Sequence, residues 1–453
     1  MIKDKIKNGE KIKLDRKKYI AISVIFFILI IMYLSFLSSK SKKISDKEVI
    51  VFALDAGDWR IVNKLLSENK LHNLKYLIDD GASGKLKVVE PIYTPPNMAS
   101  LFSGKLPYQH GIMTHFDTGE TGNKNQLYRN MKVKPLWAIL SNTSIKLDLV
   151  GFQEFDYAPR IDGDIITGFY LIKKVASHNN YLEDTSNEMN FLRYIPDSIL
   201  VSKKDSKILT NYTFLDNSKT IMKKNNLTLD FDTEITRRMQ PYVIERLKET
   251  EKLKKNNLEF SKLTKGLETF FESNITAKFV FEYDMLSKEI ALDLHKNHKP
   301  NILFVYFSGT DVFGHNYYFE GWQLDDKKDE QRQIYKYYEI IDGYIGEFIN
   351  NSDEKTTFIV ISDHGLQNMS LNNYLNPRLS QAPHTKYGIF IAKGEGIKHN
   401  YKTDNADIVD ITPTLLYMFD KPIALDFDGE PLLDIFEDNY KKGKSIHKID
   451  TYG

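Results

Sequence analysis

Apolar and polar positions along the chain fall into an alternating order of short buried runs and helically spaced ones. EVIVFAL (48–54) has no polar side chain after its first residue, the pattern of a strand buried on both faces. Residues 60–80 then carry Ile61, Leu65, Leu66, Leu74, Leu77 and Ile78 at helical spacing. KLKVVEPIYT (85–94) predicts a second strand, NMASLFSG (97–104) a short helix, KPLWAIL (134–140) a helix and LDLVGF (147–152) a strand. The rhythm returns with NILFVYFSGTD (301–311), TTFIVISDHG (356–365) and GIFIAKG (388–394), before a last helix in IVDITPTLLYMF (408–419). Such alternation predicts an α/β fold with a largely parallel central sheet covered by helices on both faces. Residues 171–295 break the pattern: they are charged, helical in their second half, and lack glycine from 169 to 265, so tight turns between strand and helix are scarce. They predict a mainly helical insertion or cap, with ordinary sheet-covering helices as the alternative.

One run stands apart. YIAISVIFFILIIMYLSFL (19–37) has no charge in nineteen positions. As a helix it spans about 28 Å, close to the roughly 30 Å of a bilayer's hydrocarbon core. It is longer than the apolar part of a secretory signal and is followed by SSKSKK, which predicts a retained signal anchor, with secretion after cleavage as the alternative. Residues 1–18 hold eight Lys or Arg against three Asp or Glu. This more basic flank predicts a cytoplasmic arm and a body outside the cytoplasm at the cell membrane. The expected order is therefore arm (1–18), transmembrane segment (19–37), linker (38–47), a single large domain (48–436) and a loosely held basic tail (437–453).

The formal charge of +1 changes meaning once that arm is set aside. Without its +5, and the +2 of residues 40–48, the rest of the chain carries −6. A mildly acidic body argues against binding duplex nucleic acid. The chain has no cysteine, which excludes a disulfide scaffold and thiolate ligands, so any metal must be held by histidine and carboxylate.

Three predicted strands end in such residues. EVIVFAL runs into Asp55, NILFVYFSGT into Asp311 with His315 four residues later, and TTFIVIS into Asp363 and His364. His384 lies just before GIFIAKG. Singly, each is a serviceable turn residue. Jointly they point to a metal site, because the carboxyl ends of parallel strands share one rim where ligands bind. Carboxylate and imidazole together suit a divalent transition ion, zinc first and manganese or iron behind it. Thr94 precedes two prolines, which stiffen the chain, and the helix expected just beyond would aim free amides at Thr94 and a bound anion. A threonine hydroxyl needs activation before it can act as a nucleophile, and a metal supplies it.

Taken in order, Asp55, TPPN (94–97), SGKLPYQHG (103–111), DVFGH (311–315), SDHG (362–365) and His384 resemble the alkaline phosphatase superfamily, in particular its type I phosphodiesterase and nucleotide pyrophosphatase branch. The resemblance covers about 49–436 without most of the helical insertion, and implies an alkaline-phosphatase-like sandwich. It implies two divalent ions, one held by Asp311, His315 and His384, the other by Asp55, Asp363 and His364 with Thr94 as further ligand and nucleophile. The implied activity is hydrolysis of a phosphodiester through a covalent phospho-threonine. The substrate class it leaves open runs from small molecules to lipid-headgroup and glycan phosphoesters.

Where that branch carries an asparagine shortly after HGI, this chain has His115. His115 and Asn97 are the candidate donors to a phosphoryl oxygen, and the aromatic residues Phe313 and Tyr317 are candidates for stacking on substrate. Tyr318, Phe319 and Trp322 flank the same motif, the last two reading more as packing. A sulfatase is disfavoured, since no cysteine is present and Asn97 and Met98 stand where a basic residue would be wanted. A membrane-tethered phosphomonoesterase, or a transferase of the phosphoglycerol or phosphoethanolamine type, remains the alternative. A non-catalytic surface-binding protein on a phosphatase-like fold is the opposing class.

Overall fold

VIVFAL forms β1 (Val49–Leu54), with all six residues buried. Val49, Val51 and Ala53 face one core, and Ile50, Phe52 and Leu54 face a second, on the other side of the sheet. A strand without a solvated face needs cover on both sides, and its neighbour β5 (Ile302–Phe307) is buried in the same way. Burying each such Phe, Leu or Ile side chain contributes roughly 1.5–3 kcal/mol.

The structure is a computed structural model that describes residues 47–114, 131–141, 143–152, 165–166, 280–281, 283–285, 287–317, 319–320, 333–367, 369–370 and 384–453. The predicted membrane segment, its basic arm and most of the predicted insertion lie outside the described residues. Among the described residues no helix is long and apolar enough to cross a membrane.

The remaining strands of the main sheet are β2 (Ala82–Lys87), β3 (Leu147–Val150), β4 (Ile165–Ile166), β7 (Thr357–Ile361), β11 (Tyr387–Lys393) and β12 (Tyr401–Asp407). Four two-residue strands, β6 (Phe319–Glu320), β8 (Gly365–Leu366), β9 (Met369–Ser370) and β10 (His384–Thr385), form small pairs beside it. The eight-stranded order is β12-β2-β11-β7-β1-β5-β3-β4. Every neighbouring pair is parallel except those made by β11, which runs against β2 and β7.

Helices cover both faces. On one lie α1 (Trp59–Ser67), α2 (His72–Asp79), α6 (Gly309–Tyr317) and α7 (Gln333–Asn350); on the other lie α3 (Thr94–Ser103), α5 (Leu136–Leu140) and α8 (Ile411–Met418), with the short α4 (Pro107–His110) after α3. The helical residues of 280–297 belong to the first layer: Phe281, Tyr283, Met285, Ala291 and Leu294 sit in its core. The end of the predicted insertion is thus a sheet-covering helix. The fold is a mixed α/β sandwich with a largely parallel central sheet.

Two other expectations need correction. The helix after the prolines begins at Thr94 itself, with Tyr93 as its N-cap. Proline is well suited to a first helical turn, where its fixed φ fits and its missing N–H is not needed. Because Pro95 and Pro96 have no N–H and Asn97 N donates to Tyr93 O, the expected row of free amides is absent there. The tail is also docked: Ile449 pairs with Ala424, and Tyr452 donates to Pro422 O at 2.6 Å.

Candidate active site and metal centre

Register places the functional residues at one edge. Leu54 aligns with Phe307 and Ala53 with Ile361, so Asp55, Ser308 and Ser362 are the next residues out of three adjacent parallel strands. Asp363 and His364 follow at once, while Asp311 and His315 ride on α6, one helical turn apart on the same face. β2 ends at this edge too, and its exit leads to Thr94. β11 runs the other way, so its beginning lies at the edge, and His384 arrives just before it.

Distances bring these residues together. His315 Nε2 is 3.0 Å from Asp311 Oδ1, and His384 Nε2 is 3.5 Å from the same oxygen. The two Nε2 atoms face each other at 3.1 Å. His364 Nε2 lies 3.5 Å from Asp55 Oδ1 and 3.4 Å from Asp363 Oδ2. Asp311, His315 and His384 form one group whose ligand atoms all lie within 4.8 Å; Asp55, Asp311 and His364 form another. Asp363 adjoins the second group, its Oδ1 held by Ala56 N at 3.2 Å. The rings of His364 and His384 stack at 3.8 Å, which joins the two groups.

The donor chemistry fits divalent cations. His384 donates from Nδ1 to Ile92 O and His364 from Nδ1 to Gly365 O, because a carbonyl can only accept. Each therefore turns a lone pair at Nε2 into the cluster, the arrangement by which outer hydrogen bonds orient metal-binding histidines. Asp363 Oδ2 is buried without a hydrogen-bond partner, and Asp311 Oδ1 is buried with only the His315 and His384 rings beside it. A buried charged oxygen left alone costs several kcal/mol, in order of magnitude, which a cation in reach would offset. Burial pushes the His364 imidazole down to about 3, keeping it neutral and able to ligate. Burial likewise pushes the Asp363 carboxyl up. Burial acts on Asp311 in the same direction, but the charge of His315 prevails and holds that carboxyl below the usual range.

Thr94 lies inside this cluster. Its Oγ1 is 3.2 Å from His364 Nε2 and 3.4 Å from Asp55 Oδ1, and the residue is buried. Tyr306, which no sequence signal singled out, donates to Asp55 Oδ2 at 2.5 Å. That leaves Oδ1 of Asp55 directed at Thr94 and His364. The Thr310 hydroxyl donates to Asp55 O, tying the first turn of α6 to the end of β1.

The expected substrate contacts fare differently. Asn97 is fully buried and turned inward: Oδ1 accepts from Val89 N at 2.8 Å and Nδ2 donates to Tyr93 O at 2.9 Å. It orders the turn that presents Thr94 and is not free to grip a phosphoryl oxygen. Phe313 is fully buried and stacked on Tyr337 at 4.2 Å, so its ring faces the core and not the rim. Tyr317 ends α6, and His115 lies outside the described residues.

A mixed α/β sandwich with a buried threonine hydroxyl among carboxylates and imidazoles at its strand ends is chemistry suited to a phosphoester hydrolase, and the family supplies that class. The sequence model described as type I phosphodiesterase / nucleotide pyrophosphatase matches residues 49–414, and the chain belongs to that family. A search among curated proteins finds no match. Among solved structures, human ectonucleotide pyrophosphatase / phosphodiesterase 5 is 11% identical and aligns over 86% of this chain and 100% of its own, with a TM-score of 0.46. Its murine counterpart, in an inactive form in complex with AMP, has the same identity and coverage and a TM-score of 0.47. The alkaline phosphatase PafA is 13% identical over 86% of this chain and 98% of its own, with a TM-score of 0.47.

Proposed function

We propose that this protein is an extracytoplasmic phosphodiesterase, or nucleotide pyrophosphatase-like hydrolase, that uses two divalent ions and a covalent phospho-threonine. The observation that carries the reading is the position of Thr94 Oγ1, within 3.4 Å of both His364 and Asp55 in a buried cluster of carboxylates and imidazoles. Asp311, His315 and His384 would hold one ion; Asp55, Asp363 and His364, with Thr94, would hold the other. Zinc suits this set first, with manganese and iron behind it. When bound, such ions lower the pKa of a hydroxyl and stabilise charge on phosphoryl oxygens.

Thr94 Oγ1, its proton lost to solvent, forms a bond to phosphorus while the bond to the leaving oxygen breaks, and the leaving alcohol takes up a proton. Water then breaks the Thr94–phosphorus ester, releasing a phosphate monoester and restoring the hydroxyl. Asp55 and His364 hold Thr94 in place, and Tyr306 fixes Asp55.

The test is a comparison of bis-p-nitrophenyl phosphate, p-nitrophenyl phosphate, a nucleotide and a glycerophosphodiester. Cleavage of diesters ahead of the monoester supports the reading, and cleavage of monoester alone overturns it. Thr94→Ala should lose turnover while keeping its metal content; wild-type turnover by that variant ends the covalent role. The location outside the cytoplasm rests on the 19–37 run and its basic arm. External protease should degrade the domain in intact cells, and protection would count against that location.

A further inference from the structure

Asp284 is fully buried on the helical segment 280–297 and accepts four hydrogen bonds. Its Oδ1 receives Ser308 N at 3.1 Å and the Ser308 hydroxyl at 3.3 Å; its Oδ2 receives Gly309 N at 2.8 Å and the Tyr337 hydroxyl. Ser308 and Gly309 are the residues where β5 turns into α6, the helix that carries Asp311 and His315. A carboxylate supplied by another helix therefore satisfies amides at the start of α6 that would otherwise be orphaned. Burial pushes the Asp284 carboxyl up to about 7, an effect the surrounding donors oppose. Burial, then the charge of Asp284, holds the Tyr337 phenol well above its ordinary value, so Tyr337 is the donor.

Tyr337 fixes α6 a second time. It belongs to α7, and its ring stacks on Phe313 at 4.2 Å and 21°. Asp284 thus holds the first turn of α6, and Tyr337 holds both Asp284 and the inner face of the helix. The fit leaves no slack at Gly309: a Cβ there would lie 2.1 Å from the Tyr337 hydroxyl oxygen and 2.9 Å from Asp284 Oδ2. Asp311 follows Gly309 by two residues, so a shift or rotation of this turn reaches its carboxylate undiminished.

We propose that Asp284 and Tyr337 are positioning residues that set the placement of α6 and thereby the affinity of the Asp311–His315–His384 group for its cation. This deepens the metal-dependent reading above and rests on it. Neither residue is a ligand or hydrogen-bonds one, yet metal ligation tolerates only about 0.2 Å of error in distance, and even a directly bonded outer partner is worth about 10–100-fold in affinity, which sets an upper bound on an effect carried through α6. The Asp55–Asp363–His364 group hangs on β1 and β7 and meets α6 only at its margin, where Asp311 lies beside His364 and the Thr310 hydroxyl donates to Asp55 O, so a displaced α6 should disturb it less.

The experiment is a zinc titration of the metal-stripped full-length protein against a chromophoric chelator, for wild type, Asp284→Asn and Tyr337→Phe. Asp284→Asn keeps the shape of the side chain but loses an acceptor. Tyr337→Phe keeps the ring against Phe313 and loses only the hydroxyl, which preserves the test should Asp284→Asn fail to fold. The expected result is two zinc equivalents in wild type, one of which weakens about tenfold in Asp284→Asn and less in Tyr337→Phe, the other weakening distinctly less in each variant. Asp342→Asn is the structural control. Asp342 on α7 caps α2 by accepting from Leu74 N at 2.7 Å and Asn73 N at 3.1 Å, so this variant should lower the melting temperature and leave both affinities unchanged. Equal weakening of both equivalents, or wild-type affinities in folded Tyr337→Phe, overturns the proposal. Zinc binding by a wild type that cleaves no diester would sink the proposed activity and leave this titration's answer standing.

Discussion

His110 couples the stability of α3, the helix that Thr94 begins, to pH. It is fully buried between α3 and the HGI turn. Its Nδ1 accepts from Ile112 N at 3.1 Å, so Nε2 carries the proton and donates to Ser100 Oγ at 2.9 Å. The pair is therefore no base-and-nucleophile dyad; it ties α3, which starts at Thr94, to the chain beyond α4. Protonation of Nδ1 would set a donor against a donor in a dry site. Burial accordingly lowers the imidazole to about 4 from an ordinary 6.5. As pH falls, the unfolded chain takes up the proton first, so the stabilisation is whole above pH 6.5 and is lost progressively down to about pH 4. At about 1.4 kcal/mol per pH unit the loss amounts to about 3 kcal/mol. His110→Asn keeps an acceptor near Ile112 N and cannot titrate. Denaturant unfolding of both proteins at a series of pH values, with a chelator held constant, should show wild type more stable at pH 7.5 and its lead shrinking by about that amount toward pH 4. A lead that does not change with pH would refute the reasoning.

Tyr306→Phe keeps the ring stacked on Phe152 at 5.1 Å but removes the donor to Asp55 Oδ2. Metal retained after dialysis should drop, with affinity at the Asp55 group falling about 10–100-fold; unchanged retention would deny Tyr306 its orienting role. Asn97→Ala strands the buried Val89 N–H, at a cost of about 1–3 kcal/mol, and should also lower kcat as the Thr94 turn loosens. A variant with lowered stability and wild-type kcat would show that the turn holds without it. Gly314→Ala puts a Cβ 2.2 Å from Leu366 Cδ2, where α6 meets β8, and thermal unfolding should register an overpacking loss of about 1–3 kcal/mol.

The parts of the site written as strand ends were legible from sequence because a buried apolar run fixes both the strand and the place where it stops. Asp55, Asp311 and Asp363 each stand where such a run gives out, and the structure brings all three to one edge. β12 was not legible: YKTDNAD has an exposed, polar pattern, and its strand character comes from pairing with β2. The end of β2 was misplaced because Val88 and Val89 are apolar for a different reason, covering the core as a loop. Asn97 looked like a donor beside Thr94, but nothing in its sequence position tells that both its amide atoms serve the backbone. Phe313 was open to a better reading. Once α6 is taken as a helix, a residue two after Asp311 lies about 200° around from it, on the face that must be buried.

Strand direction is the step that periodicity never encodes, and here it completes the candidate metal centre. An apolar run reads the same in either orientation, so GIFIAKG predicts a strand without saying which end lies at the functional edge. With β11 parallel to its neighbours, the residues before it would emerge at the far edge of the sheet, roughly 20 Å away for a strand of this length. Reversed, β11 starts at the near edge, and His384 turns its Nε2 to within 3.1 Å of His315 Nε2. One antiparallel strand in an otherwise parallel sheet thus lets an imidazole more than sixty residues beyond α6 join the group that α6 begins.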